Sequence, residues 1–291
     1  PARITTSGRL VARSMAGVCL GCSGAANDAA SKQGEGARPM NIEGCVAIVT
    51  GGNRGIGEGF VTELLEAGAA RVYVAARRLA DAQAAASRDP RLVAIELDVT
   101  REDQVAAAAA QCSDVNLLVN NAGAFAMTTL LTAPDLTALR SEIETNYIGM
   151  VSMVRAFAPV LKANGGGAVV NVLSAGGIVA VPVMGGYSPS KFAARAASDC
   201  LRAELAPQGT QLSALIVGSV DTRMADHVTG IDKASPRDIA RAGLLAVRRN
   251  IAEHDTDRHA IEVRAFNARD PYTLAKSMAK PFLDAARKAG G

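Results

Sequence analysis

At 291 residues, 49% of them hydrophobic, the chain can bury a core the size of one large α/β domain or two smaller ones. The net charge of +3 is local: residues 1–39 carry Arg3, Arg9, Arg13, Lys32 and Arg38 against Asp28 and Glu35, and the remainder balances at 26 basic and 26 acidic residues. A neutral body gives no electrostatic reason to expect nucleic acid or an anionic membrane as partner. Five cysteines in a chain this long argue against a disulfide framework, so Cys45, Cys112 and Cys200 read as buried free thiols of a cytoplasmic protein.

The first 39 residues are rich in Gly, Ser, Ala and Arg and lack sustained periodicity. They read as a disordered leader: the apolar stretch Met15–Leu20 is too short for the core of a signal sequence. Cys19 and Cys22 form a lone CxxC without a second pair, so no metal site is expected. From Met40 to the end, 40–291, the pattern is that of one folded α/β domain.

Apolar, β-branched runs follow at Val46–Thr50, Arg71–Ala75, Leu92–Leu97, Asn116–Val119, Ala168–Leu173 and Gln211–Val217. They are uniformly apolar rather than alternating, as strands buried on both faces of a parallel sheet are. Helical stretches lie between them at Ile56–Ala67, Leu79–Ala86, Glu102–Gln111, Leu136–Leu161 and Tyr187–Leu205. Six β-α repeats predict an α/β fold of Rossmann type, a doubly wound parallel sheet with helices on both faces. Asn164–Ser190 carries no charge, but its seven glycines, Pro182 and Pro189 exclude a lipid-facing helix. Beyond Val217 the pattern predicts a lid over about 221–235, a helix at Pro236–Asn250, a short strand at Ala260–Val263 and an atypical tail over 250–291.

Thr50-Gly51-Gly52-Asn53-Arg54-Gly55-Ile56-Gly57 joins the first strand to the first helix. Gly51, Gly55 and Gly57 let the backbone turn tightly and approach a pyrophosphate, and the helix N-terminus presents N–H groups to that anion. An NAD site would end the second strand in an acid that bonds the ribose 2′-OH. Here the strand ends in Ala75-Ala76-Arg77-Arg78, with Arg54 in the glycine loop and no carboxylate expected nearby. Arginines converging on the 2′ position favour a phosphate and so NADP(H). Asp98, closing the third strand, is placed to bond the adenine amino group.

Tyr187 and Lys191 stand four apart at a helix start, on one helical face. A tyrosine near its ordinary pKa of about 10 is a poor neutral-pH acid/base. A neighbouring ammonium, and the positive ring of an oxidised nicotinamide, pull it down. Ser174, at the C-terminal end of the fifth strand, can hold a substrate oxygen. Asn146 can open a water path from Lys191 to solvent.

These motifs together resemble the short-chain dehydrogenases/reductases, over residues 42–250. They comprise the glycine loop, Asn120-Asn121-Ala122-Gly123, Asn146, Ser174, and Tyr187 with Lys191. The resemblance implies a catalytic tetrad of Asn146, Ser174, Tyr187 and Lys191. It implies cofactor contacts at Gly51, Asn53, Arg54, Gly55, Ile56, Gly57, Arg77, Arg78, Asp98, Val99, Asn120, Ala122, Gly123, Tyr187, Lys191, Gly218, Val220 and Thr222. It further implies that the Asn146 and Tyr187 helices pair with their copies in a homodimer or homotetramer. Two departures stand out. Val217-Gly218 replaces the family's Pro-Gly after the sixth strand, and no glycine-containing last strand is visible beyond Asn250.

The expected activity is hydride transfer between NADP(H) and a carbonyl or secondary alcohol, a small-molecule substrate that the apolar candidates Phe125, Met127, Val179, Val181, Val183 and Met184 make apolar. A catalytically silent NADP(H)-sensing regulator is the alternative, since fold does not fix function. An epimerase or dehydratase would need a larger C-terminal substrate domain. His227, His254 and His259 lack ligand-like spacing and read as surface residues.

Overall fold

The apolar runs become strands whose neighbouring side chains pack into opposite layers. The computed structural model describes residues 39–226 and 232–289. Strands β1 (Val46–Thr50), β2 (Arg71–Ala76), β3 (Leu92–Glu96), β4 (Leu117–Asn120), β5 (Gly167–Val172), β6 (Thr210–Ile216) and β7 (Glu253–Asp255) form one sheet. Its order is β3-β2-β1-β4-β5-β6-β7, and every neighbouring pair is parallel. The winding reverses between β1 and β4, which opens a crevice at their C-terminal ends, the place where such sheets bind ligands.

On one face, α1 (Gly55–Glu66) and α7 (Pro236–Arg249) set Phe60, Leu64, Leu244 and Val247 against Val49, Val72, Leu117, Val170 and Leu215. On the other, α3 (Glu102–Gln111) and α5 (Met150–Ala163) set Val105, Met153, Phe157 and Leu161 against Ile48, Tyr73, Leu118 and Val169. Each fully buried side chain of this size contributes about 1.5–3 kcal/mol. Helices α1 and α7 pack closely because Gly59 has no side chain: a Cβ there would stand 2.6 Å from the Pro236 carbonyl oxygen. Beside that contact Glu63, 7% exposed, accepts from Arg237 at 2.6 Å and Arg241 at 3.2 Å.

Helix α2 (Leu79–Ala86) follows β2, and α6 (Tyr187–Leu205) follows β5. The single helix expected over Leu136–Leu161 is two: α4 (Thr137–Ile143) and α5, joined by a π-helical turn at Glu144–Gly149. That turn brings Gly149 against Val99, where a Cβ would meet the Val99 side chain at 2.8 Å.

The C-terminal part corrects several expectations. A short strand does follow Asn250, and it holds no glycine: β7 is Glu-His-Asp, half-buried at the sheet edge. Ala260–Val263 is helix, not strand: it lies in α8 (Arg258–Arg269), which Asp257 caps by accepting from the Ala260 N–H at 3.1 Å. α9 (Pro271–Ala289) completes the tail and buries Leu274. Cys45 and Cys112 are buried, whereas Cys200 is exposed on α6. His254 and His259 are half-buried, and His259 Nδ1 meets Ser219 Oγ at 3.1 Å. The leader, Cys19, Cys22, His227 and residues 227–231 of the expected lid lie outside the described residues. Among the described residues, no helix is long and apolar enough to cross a membrane.

Candidate active site

The crevice is built first from backbone. Gly51 (φ +63) and Gly55 (φ +56) occupy the left-handed region that a side chain disfavours. A Cβ on Gly57 would run into the Gly51 carbonyl. Arg54 is the N-cap of α1 in extended conformation and offers no side-chain cap, leaving the first turn's N–H groups to an anion. The loop therefore fits a pyrophosphate. Asn53 and Ile56 flank it half-buried, and Thr222 sits over it, its Cγ2 3.4 Å from where a Gly55 Cβ would be.

Thr50 locks this loop to the turn after β4. Its hydroxyl donates to Val119 O at 3.3 Å and accepts from the N–H groups of Asn121 at 2.9 Å and Ala122 at 3.0 Å. Asn121 Nδ2 donates to Thr50 O at 2.9 Å. Asn120 donates to Asn171 at 3.0 Å, and its own Oδ1 is buried without a partner. A small recess opens beneath, lined by Thr50, Val99, Asn120, Ala122, Asn146 and Lys191 among others. An orphaned acceptor in a recess beside the glycine loop is the environment a polar nucleotide fits.

The four tetrad candidates converge at the sheet's C-terminal edge. Ser174 Oγ accepts from the Gly176 N–H at 3.0 Å, which fixes the hydroxyl at the mouth of the crevice. Asn146, in the π turn, exchanges two bonds with Ala124 at 2.8 and 2.9 Å and donates to Ser190 Oγ at 2.9 Å. Ser190 in turn donates to the Tyr187 carbonyl at 2.6 Å. Phe125 stands edge-on to Tyr187 with ring centroids 5.0 Å apart. Lys191 Nζ is 5.6 Å from the centre of the Tyr187 ring and donates to Val172 O at 3.0 Å. Gly123 is exposed beside Asn146.

The electrostatics differ from the expectation of a phenol already made acidic. Burial pushes the Tyr187 phenol up, a hydrogen bond with Ser174 opposes this, and the charge of Glu142 adds to it. Burial lowers Lys191 to about 8. Among the described residues no carboxylate pairs with its ammonium, and Lys191 as a whole is 5% exposed. The lysine's folded pKa is thus below the unfolded value of about 10.4. The unfolded chain binds more protons between about pH 8 and 10, so this site costs stability below that window and the cost disappears through it. Lys191→Met is therefore expected to be more stable than wild type at pH 7 without dinucleotide, by a few kcal/mol. The difference should vanish by pH 10–11 in denaturant melts, and a pH-independent difference would contradict the assignment.

The adenosine end carries a correction. Arg77 and Arg78 are exposed at the end of β2, but a carboxylate is nearby: Asp81, three residues on in the first turn of α2, accepts from Arg78 Nε at 2.8 Å and Nη2 at 2.7 Å. Arg78 holds the Asp81 carboxyl below its ordinary value, and the charge of Arg54 contributes. Asp98 accepts from the N–H and hydroxyl of Thr100 at 3.0 and 2.7 Å, and Val99 is buried beside it.

Losing the family's proline does not leave the turn after β6 untethered. Gly218 N–H donates to Asp257 Oδ2 at 2.7 Å, and Ser219 meets His259, so α8 holds the segment bearing Val220 and Thr222. Val179 belongs to the core with Leu173 and Ile178, while Val181, Val183, Met184 and Phe125 are half-buried and Met127 is exposed. Sequence reasoning did not single out Thr50, Ser190 or Glu142. Ser190 lies inside the Tyr-Ser-Pro-Ser-Lys run, and Glu142 shares a helical face with Asn146, so spacing carried both signals.

Known proteins resemble this chain in sequence and in fold. The sequence profile described as short chain dehydrogenase matches residues 45–231. "Dehydrogenase/reductase SDR family member 7B" of Danio rerio is 29% identical over 236 residues, covering 72% of this chain and 76% of that protein. A "3-alpha-(or 20-beta)-hydroxysteroid dehydrogenase" of Mycobacterium bovis is 30% identical over 214 residues, 69% of this chain and 76% of its own length. A short chain dehydrogenase from Burkholderia cenocepacia J2315, solved in complex with NADP, is 40% identical with a TM-score of 0.77, covering 82% of this chain and 99% of that one. The chain belongs to the short-chain dehydrogenase/reductase family.

Proposed function

We propose that this oxidoreductase interconverts an apolar ketone or aldehyde and its alcohol with NADP(H). The observation that carries the reading is the meeting of half-buried Tyr187 and Ser174 with buried Lys191 beside the glycine loop. Bound there, the dinucleotide supplies or takes the hydride. Gly51, Gly55, Gly57 and the α1 N-terminus would hold its pyrophosphate, Asn120 and Ala122 would line its cleft, and Gly218, Val220 and Thr222 would border the nicotinamide end. Ser174 orients the substrate oxygen and stabilises charge there. Tyr187 gives that oxygen a proton in reduction and removes one in oxidation. Lys191 Nζ has three donors, of which Val172 takes one, leaving two for the ribose hydroxyls. Asn146 holds the α4–α5 turn open beside Lys191.

The half-buried Val181, Val183, Met184 and Phe125, with the exposed Met127, support an apolar substrate. Ile148 and Phe192, 39% and 41% exposed on the Asn146 and Tyr187 helices, support a homo-oligomer through those helices. NADPH oxidation over a panel of aryl and alkyl ketones separates an enzyme from a sensor, which would bind NADPH without turnover on any of them.

Arg54 and Arg77 favour the 2′-phosphate, whereas Arg78 is already clasped by Asp81. Each charge-assisted bond is worth about 1.5–3 kcal/mol when well formed. Arg54→Ala and Arg77→Ala are expected to weaken NADPH binding by about tenfold with little change for NADH, and Arg78→Ala by less. Equal losses for both dinucleotides in calorimetric titration would contradict the preference.

A further inference from the structure

Glu142 takes no part in the chemistry above, yet it sits against it. It lies one helical turn before Asn146, is 1% exposed, and accepts from the Ala126 N–H through Oε1 at 2.8 Å. Its Oε2 is buried with no hydrogen-bond partner. Gly186, the residue before Tyr187, packs so closely that a Cβ there would collide with Oε2 and come within 2.8 Å of Leu139 Cα. Three elements therefore meet on this one carboxyl group: α4, the loop after β4 and the start of α6. That loop also carries Phe125, whose ring stands on Tyr187, and it is tied to the segment before Tyr187 by Gly185 N–H donating to Thr128 O at 2.8 Å. A half-partnered carboxylate in a dry place is costly, and a glutamine would make the same bond to Ala126 without the charge.

We propose that Glu142 is a positioning residue for Tyr187: its carboxylate fastens the Phe125 loop against the start of α6, and its negative charge acts on the phenol across the gap at Gly186. The proposal rests on Tyr187 being the acid/base. A negative charge at that place opposes phenolate, adding to what burial does. It adds to burial in favouring the protonated form that carbonyl reduction consumes. The ionisable groups of α6 near it are Tyr187 and Lys191. The loop over residues 124–134 and the segment 174–186 hold no charged side chain. Asp135 is engaged with Thr137 N–H at 2.7 Å, and Arg140 on α4 and Glu144 in the π turn are exposed.

With no Trp and four Tyr, the chain allows phenolate absorbance to be read directly. Ultraviolet titration of the protein alone would compare wild type with Tyr187→Phe, and Glu142→Gln with the double variant. Each difference isolates the Tyr187 phenol. Its midpoint is expected to fall by about 0.5 unit or more in Glu142→Gln, about threefold in ionisation constant. Hydrogen exchange at Ala126 should be unchanged in Glu142→Gln and at least about tenfold faster in Glu142→Ala. An unmoved Tyr187 midpoint in Glu142→Gln overturns the electrostatic role, and unchanged Ala126 exchange in Glu142→Ala overturns the tether. If Glu142→Ala does not fold, the Glu142→Gln titration decides alone. Neither readout involves turnover, so a fully active Tyr187→Phe would overturn the proposed function without touching this result.

Discussion

Tyr187→Phe is expected to lower the turnover number about 10²–10⁴-fold, the range that a positioned proton donor supplies, while NADPH affinity stays within about twofold. The substitution removes one hydroxyl and its hydrogen bond with Ser174. The ring keeps its edge-on packing against Phe125, the Ser190 bond goes to the Tyr187 backbone carbonyl rather than the side chain, and Lys191 keeps its bond to Val172. A fall in turnover with unchanged binding and unchanged melting temperature therefore reports the loss of a proton carrier. Stopped-flow NADPH oxidation with a responsive ketone, alongside a dinucleotide titration, checks both halves. Activity within about tenfold of wild type would show that another group handles the proton.

Gly57→Ala is expected to reduce dinucleotide affinity by more than about 100-fold and to destabilise the fold by about 1–3 kcal/mol, the usual range for overpacking. The added methyl would overlap the Gly51 carbonyl and crowd Asn121 Nδ2. Both belong to the lattice of bonds joining the glycine loop to the turn after β4. The backbone can relieve the clash only by moving the loop that cradles the pyrophosphate. Gly55→Ala is the comparison: the nearest neighbour of its methyl, Thr222 Cγ2, would be in ordinary contact at 3.4 Å. The cost there is the left-handed backbone, about 1–2 kcal/mol, with a smaller loss of affinity. Calorimetric titration and denaturant melts of the two variants would rank them, and a weaker effect at Gly57 than at Gly55 would contradict the account of the cradle.

What the sequence made legible follows from which forces are local. β1, β2 and β4 are apolar with little alternation, because both faces of each are covered along almost their whole length, and that signature survives in one dimension. The glycine loop and the Tyr187–Lys191 pair are likewise local patterns whose spacing sets their geometry. β7 was not legible: Glu253-His254-Asp255 has no strand-like composition, and it is a strand because β6 offers it an edge and Arg195 and Arg264 pair with Glu253. Ala260–Val263 misled because valine and isoleucine favour strands, whereas the buried Ala260 and Val263 are three apart on a helix that Asp257 caps. The π turn at Asn146 has no composition signature. The pairing of Arg78 with Asp81 was readable as a three-residue helical spacing, yet the charge count at the end of β2 concealed it. The direction of the Tyr187 and Lys191 shifts was hidden for a different reason: burial is the first cause of both, and burial is a property of the assembled fold.

The reading as a whole depends on the phenol of Tyr187 meeting the reactive carbon of a nicotinamide held by the glycine loop. A crystal structure of the protein with NADP⁺ measures that directly. The expected result places the pyrophosphate on the N–H groups of Gly55–Gly57, the Lys191 ammonium on the ribose hydroxyls, and the Tyr187 hydroxyl close enough to the nicotinamide C4 for a carbonyl group to bridge them, on the order of 3–3.5 Å from each reacting atom. A dinucleotide bound elsewhere, or a Tyr187 ring turned away from C4 with Lys191 still on Val172 alone, would contradict it.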